Sequence, residues 1–517
     1  MIKQFLLILL FLITTSLPAQ TFTDIRAKLT GVGGSACGWI DYDQDGKPDI
    51  FVTGEFYKNN KHFISTELYH NDGDGHFTKV ETPIVNVFRG AFGWADYNLD
   101  GKPDLFIIGE NASGKSVADL YMNNNRTPNF VLIPTGIPGL KDGSVDWGDY
   151  DGDGDPDLLL TGESNHGPVT KIYRNDRHNH FTDIHAGLPG VHYGVAKWAD
   201  LFQTGHLDVI LSGKLASGKC ITAVYRNIDN KFVKVPVDFS NLCLSDVAVA
   251  DYNMDGWPDF VACGETEDGR YETRLYQNDK NGFFSSVVVG LTGVRTGSVA
   301  WGDYNHDGYP DLLITGQSAH GPVSEIFRND RNGKFTNIHA GLIGLYMSDG
   351  HFGDYNQDGN LDVLISGMTS DYKFYTKVYR NNPVPMDTLT SREPKSENQI
   401  LESENSDQGI FFYSVKVPPK PQKIYYYVYA STYCDLYGTG KKGYYVFFSP
   451  VKKQHVQYQL QHEFNRLIRE RYPEWPKIDP GEIITNGFVT YSNAESSKRT
   501  AVKAYESAGF KVHELVW

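Results

Sequence analysis

Nine residues starting at Asp41 read Asp-Tyr-Asp-Gln-Asp-Gly-Lys-Pro-Asp, which places carboxylates at positions 1, 3, 5 and 9 of a short loop. The glycine at position 6 permits a sharp turn that curls these side chains toward one point, and the carbonyl of position 7 can join them. A hard cation such as Ca²⁺ takes six to eight oxygens at about 2.3–2.6 Å. Without a cation, carboxylates held about 4 Å apart repel by roughly 1 to 4 kcal/mol per pair, depending on screening. No nitrogen or sulfur side chain recurs in the pattern, which argues against Zn²⁺.

The loop recurs. Matching segments begin at Asp96, Asp149, Asp251, Asp303 and Asp354, and a worn copy begins at Asp200. Successive first aspartates stand 55, 53, 51, 51, 52 and 51 residues apart, so the chain carries seven copies of one unit. The expected ligands in the first loop are Asp41, Asp43, Asp45 and Asp49; in the second, Asp96, Asn98, Asp100 and Asp104; in the third, Asp149, Asp151, Asp153 and Asp157. The fifth offers Asp251, Asn253, Asp255 and Asp259, the sixth Asp303, Asn305, Asp307 and Asp311, and the seventh Asp354, Asn356, Asp358 and Asp362. The fourth keeps Asp200 and Asp208 but has Phe202 and Thr204 between them, so it is expected to hold no metal. The reading is therefore about six Ca²⁺ sites.

Other positions repeat with the loop. Thirteen residues after each first Asp stands a glycine, from Gly54 to Gly367; six before it stands Ser or Gly; two before it stands a large apolar residue, usually tryptophan. Each unit later carries an aromatic residue followed two positions on by Asn: Asn71, Asn123, Asn175, Asn227, Asn278, Asn329 and Asn381. The apolar runs after the loops have strand length and are bounded by Asp and Gly. About four strands per unit of roughly 50 residues is the arithmetic of a propeller blade. The expected fold is an all-β seven-bladed β-propeller over residues 21–382. Small residues six before the Asp suit an innermost strand crowded at the axis, and the tryptophans read as packing wedges. A Phe follows each Asn by five to seven residues except after Asn381; the missing copy is Phe22, so the N-terminal strand is expected to complete the last blade.

These acidic loops, each followed by a strand in a seven-fold array, resemble the FG-GAP/VCBS repeats of secreted bacterial proteins and of the integrin α-subunit propeller. The resemblance implies calcium in the blade loops and a role in adhesion, ligand binding or assembly. An EF-hand is excluded, because no Glu stands at loop position 12. The leading functional reading is a non-enzymatic binding or adhesion protein for a protein or glycan ligand. The alternative is a secreted polysaccharide hydrolase or lyase on a propeller scaffold. No Gly-x-Ser-x-Gly or His-Glu-x-x-His motif supports the alternative. His166 and His320 lie in matched segments, GESNHGPV and GQSAHGPV, which read as a shared turn sequence.

Around this array, Lys3, the apolar run over 5–13 and the close at Ala19 read as a signal peptide over residues 1–20. That run is too short to span a bilayer, which takes about 20 apolar residues. The expected location is extracellular, periplasmic or otherwise in the cell envelope. Five scattered cysteines are not a disulfide framework; one bridge among buried thiols fits them. Residues 383–408 read as a polar linker, and 409–517 as a small α+β domain with one helix near 455–471 and another opened by the capping box Ser492 to Glu495 and ending near Gly509. Its end is similar to a SPOR peptidoglycan-binding domain, which implies contact with the cell wall. The 517 residues are 40% hydrophobic and 13% aromatic, which excludes a mostly disordered chain. A net charge of −15 argues against nucleic-acid binding through overall charge.

Overall fold

The computed structural model of the chain describes residues 21–124, 129–280 and 282–382, together with backbone strands between 424 and 514. The chain divides into two compact bodies, Met1–Pro394 and Lys395–Trp517. Every regular element among the described residues is a strand, and none is a helix long and apolar enough to cross a membrane. The expected leader, the linker and both helices of the second body lie outside the described residues. In that body Tyr429–Cys434 pairs antiparallel with Gly443–Phe448, which pairs parallel with Lys511–Glu514. Ile424–Tyr426 pairs antiparallel with Lys452–Gln454 in a separate two-stranded sheet.

In the first body each repeat forms an antiparallel meander. The first repeat runs Gly33–Ile40, Asp49–Lys58, Lys61–Gly73 and His76–Val80, each paired with the next. The acidic loop joins the first strand to the second. Second strands such as Asp157–Ser164 hold an unbroken apolar run, and Leu158, Leu159 and Leu160 are fully buried. A strand covered on both faces needs no polar alternation. Its two faces supply different cores. Phe51 packs with Leu105 and Ile107 of the second repeat, whereas Ile50 and Val52 pack with Leu364 and Val378 of the seventh. Hydrophobic burial thus joins each repeat to both of its neighbours, and the first repeat to the last.

The tryptophans sit where this joining occurs. Trp39 stacks on Tyr355 of the seventh repeat at 6.4 Å, and Trp198 on Tyr150 of the third at 6.0 Å. A disulfide between Cys220 and Cys243 links the fourth repeat to the fifth, while Cys37 and Cys263 are buried free thiols. Buried Phe22 lies 5.8 Å from Tyr304, and Thr21–Asp24 pairs antiparallel with Phe374–Asn382, the third strand of the seventh repeat. The N-terminal strand is the outer strand of the last sheet.

Ser35, Gly143, Gly194, Ser245, Gly297 and Ser348, six before the loop Asp, line the space that the first strands enclose, as a crowded innermost strand requires. A second constraint acts at the same position, a β-bulge where pairing with the second strand slips, as between Gly33 and Ala36 or Tyr346 and Asp349. A Cβ on Gly143 would lie 1.9 Å from the Thr161 carbonyl oxygen and 2.6 Å from the Gly162 Cα. Gly162 itself has φ +147°. The two repeated glycines therefore serve one close backbone approach between paired strands.

Phe22 and four ladder positions hold the outer edge of the last sheet. Burying a Phe side chain is worth roughly 1.5–3 kcal/mol. A chain starting at Lys28 should melt well below one starting at Thr21, or aggregate through the opened sheet edge. Equal melting temperatures for the two would contradict the packing described.

Candidate metal centres

Each acidic loop is built around its first aspartate. Its Oδ2 accepts the amide of the position-6 glycine in every repeat, at 3.0 Å from Gly46 to Asp41 and 2.9 Å from Gly308 to Asp303. In all repeats but the first, Oδ1 accepts the amide of position 5, as from Asp307 to Asp303 at 3.0 Å. The residue at position 4 takes a left-handed conformation in Gln44, Leu99, Gln203, Met254, His306 and Gln357, which turns the amides inward. The side chains at positions 3 and 5 close local turns onto the amides two residues on, as from Asp307 to Asn305 and from Tyr309 to Asp307.

The ninth residue does a different job. Asp49, Asp104, Asp157, Asp208, Asp259, Asp311 and Asp362 are fully buried. Each accepts through Oδ1 the amide of its repeat's Asn at 2.7–2.8 Å. The Asn Nδ2 then donates to the carbonyl of loop position 2 in the preceding repeat. Asn123 reaches Tyr42, Asn329 reaches Tyr252, and Asn71 reaches Tyr355 across the junction of first and last repeats.

The other oxygen, Oδ2, of Asp104, Asp259, Asp311 and Asp362 is buried with no hydrogen-bond partner among the described residues, as is Oδ1 of Asp41. Burial pushes Asp49, Asp104, Asp157, Asp311 and Asp362 up to about 7 and Asp259 to about 8, with loop carboxylates adding repulsion. A cation in the loop would favour the charged form instead. Loops one and three, which have Asp at position 3, bring three acidic oxygens within 4.8 Å: Asp41, Asp43 and Asp45, and Asp149, Asp151 and Asp157. Orphaned buried carboxylate oxygens in an oxygen-rich loop fit a hard cation such as Ca²⁺.

Two features of these loops escaped the sequence reading. The residue between the repeated aromatic and Asn overhangs the loop. His70 places Nδ1 3.2 Å from Asp43 and 3.4 Å from Asp49, and Arg380 lies 3.3 Å from Asp358. In addition, position-5 carboxylates already hold cations: Asp45 with Lys47 at 2.7 Å, Asp100 with Lys102 at 3.1 Å and Asp255 with Lys280 at 3.4 Å. These exposed pairs are weak and must release for the second oxygen to turn inward. A basic residue at position 7, legible as Lys47 and Lys102, was the available signal.

The fourth loop differs in kind. Asp200 keeps its amides from Thr204 at 2.8 Å and Gly205 at 2.9 Å, and Asp208 keeps Asn227 at 2.8 Å. Phe202 takes position 3, and the Arg226 guanidinium lies 4.6 Å over its ring. An aromatic ring and a guanidinium stand where other loops present oxygens. His166 and His320 sit in matched turns, with Ser164 and Ser318 each accepting the His amide at 3.1 Å. The shared motif encodes a shared turn.

Residues 41–107, 96–160 and 251–314 match the FG-GAP-like repeat model, so the chain carries FG-GAP-like repeats in a propeller-type β fold. No curated protein matches the chain. Among solved structures, a triple mutant of AofleA from Arthrobotrys oligospora aligns at 11% identity and TM-score 0.37, covering 58% of this chain and 88% of that one. A mutant of the Aleuria aurantia lectin in complex with alpha-methyl-L-fucoside aligns at 9% and 0.33, covering 57% and 93%. A GH43 enzyme from Xanthomonas citri aligns at 11% and 0.27, covering 48% and 89%. Likenesses this distant do not bear on activity.

Asp303→Ala should remove one calcium per molecule by native mass spectrometry, whereas Asp200→Ala should leave the count unchanged. Both should lower the melting temperature, because each removes the acceptor for two loop amides, at about 0.5–1.5 kcal/mol per bond. A calcium lost with Asp200→Ala would show that the fourth loop binds metal despite Phe202.

Proposed function

We propose that residues 21–382 form a closed seven-bladed propeller that carries Ca²⁺ in six loops and acts as a binding or adhesion module for a protein or glycan, in the cell envelope or outside the cell. The observation that carries the calcium reading is the pattern of loss in the fourth repeat. Asp200 and Asp208, which have hydrogen-bonding duties without a metal, are retained there. Positions 3 and 5, which the scaffold can do without, have become Phe202 and Thr204. In the other six repeats every one of the four positions carries Asp or Asn. Metal coordination accounts for that restriction. The leader over 1–20 supports export, and the tail is assigned contact with the cell wall.

A second reading rests on one cavity. The first strands of all seven repeats line a space of about 730 Å³ that holds Asp146, Lys197, Asp246, Asp349 and His351. Burial raises Asp246. Burial also acts to raise Asp349, but His351 at 3.2 Å and the Cys37 and Gly350 amides hold it below the ordinary range. Carboxylates of opposite tendency suit acid–base hydrolysis of a polysaccharide. Each nonetheless bonds the next repeat's first strand: Asp146 accepts Trp198 N at 2.7 Å, Asp246 accepts Val299 N at 3.0 Å, and Asp349 accepts Cys37 N at 2.9 Å. That duty explains them without catalysis, so binding is preferred.

Removal of metal by EDTA should lower the melting temperature and added calcium should restore it. A site occupied at 100 times Kd stabilises the folded state by about 2.7 kcal/mol. An unchanged melt, with no metal in the purified protein, would refute the calcium reading. For the second reading, a panel of polysaccharides should show no turnover; turnover lost in Asp246→Asn would replace binding with catalysis.

A further inference from the structure

The first strand of each repeat ends at the acidic loop and begins at the bulge, so the bulges ring one mouth of the space the first strands line, opposite the loops. Seven residues before each loop Asp stand Gly34, Arg89, Asp142, Tyr193, Leu244, Thr296 and Met347, all with φ between 46° and 53°. A left-handed residue other than Gly costs about 1–2 kcal/mol. Glycine would relieve this strain everywhere, yet only the first repeat uses it. The other six project different side chains from one repeated backbone position.

On one side of the mouth these side chains satisfy one another. Arg89 Nε donates to Asp142 at 2.8 Å and its Nη2 donates to the Tyr193 hydroxyl at 3.0 Å. On the other side, across repeats five to seven, they leave a space of about 500 Å³. That lies within the roughly 300–1,000 Å³ of small-molecule sites. Tyr271, Arg295 and Tyr346 line it, with Gln317, Met347 and Ser370. Arg295 is held in place: its Nη1 donates to Glu265 at 2.6 Å, and its guanidinium lies 4.7 Å from the Tyr271 ring centre. The neighbouring carboxylate offsets the positive charge, while further N–H groups of the fixed guanidinium remain to donate. Gln317 uses Nε2 on the Ser318 carbonyl at 2.9 Å, which leaves its amide oxygen to accept.

We propose that this space between repeats five and seven is a saccharide site, with Arg295 and Gln317 binding hydroxyls and a tyrosine ring covering the apolar face of a neutral pyranose. The proposal rests on the binding reading above and gives it a place and a ligand class. A sugar ring offers C–H groups on its faces and hydroxyls around its rim. Planar donors, an amide acceptor and aromatic rings complement that surface. Offset charge at Arg295 favours a neutral sugar over a uronate or phosphate.

The test uses the calcium-loaded full chain on an array of neutral and uronate-bearing oligosaccharides, followed by calorimetric titration with the strongest free oligosaccharide. Arg295→Ala and Tyr346→Ala should weaken binding about tenfold or more, as loss of a central contact does. Ser370→Trp, at an exposed turn position, should block the space without touching the core. Leu99→Ala, on an acidic loop at the far mouth, should change nothing. Unaltered melting temperatures in Ser370→Trp and Leu99→Ala keep the comparison interpretable if a core-side variant fails to fold. Binding retained by Ser370→Trp and Tyr346→Ala overturns this site while leaving glycan recognition intact. An array without hits overturns the site and the glycan part of the functional reading together. Hits confined to uronates overturn the assignment of a neutral sugar.

Discussion

The buried link from Asp to Asn to a neighbour's carbonyl is the constraint on which the rest of the repeat body depends. A fully buried carboxylate is costly unless hydrogen-bonded. Here the Asn backbone amide meets it, and the Asn side chain then spans to the loop of the preceding repeat. One pair of residues therefore sets the position of the loop within its own sheet and the position of that sheet against the next. The tryptophan and apolar contacts fill space between sheets whose relative placement this link has already restricted. Because Asn71 makes the same bond to Tyr355, the junction of first and last repeats follows the rule of the others.

This arrangement separates two roles that the acidic motif merges. Positions 1 and 9 organise backbone; positions 3 and 5 make only local turns. The fourth repeat keeps the first pair and discards the second, filling the loop with Phe202 under Arg226. A metal in such a loop would add rigidity to a turn that the amides already shape. The two ends of the first strand then serve different ends of the molecule: acidic turns of repeated sequence at one mouth, strained residues of varied chemistry at the other.

Much of this was legible because it repeats. A spacing of 51 to 55 residues identified the unit, and the apolar runs, the wedge tryptophans and the displaced Phe22 followed from comparing copies. What escaped was geometry that copies share without displaying. The bulge gives no sequence pattern at position −7, since Arg89, Leu244 and Thr296 have nothing in common but φ. The small residue at −6 marks the innermost strand but not the bulge it also serves, because pairing register is not written in residue type. The Asn was found and left unexplained, since its partner is a backbone carbonyl about 77 residues away. His70 beside the first loop was missed for a related reason: it differs from copy to copy, so alignment of repeats hides it.

The last sheet takes its outer strand from the other end of the chain, and that has a consequence for order of assembly. Asn382 Nδ2 donates to the Thr21 carbonyl across a separation of 361 residues. During synthesis the strand Thr21–Asp24 is made before the repeats and must wait, unpaired, until the seventh repeat exists. Loop closure over such a span is entropically slow, and its contact order is as high as this body allows. Until then the partly formed ring exposes the faces of its first and last sheets. A helper that holds such segments apart would act on Thr21–Asp24 and Phe374–Asn382 more than on any repeat between them.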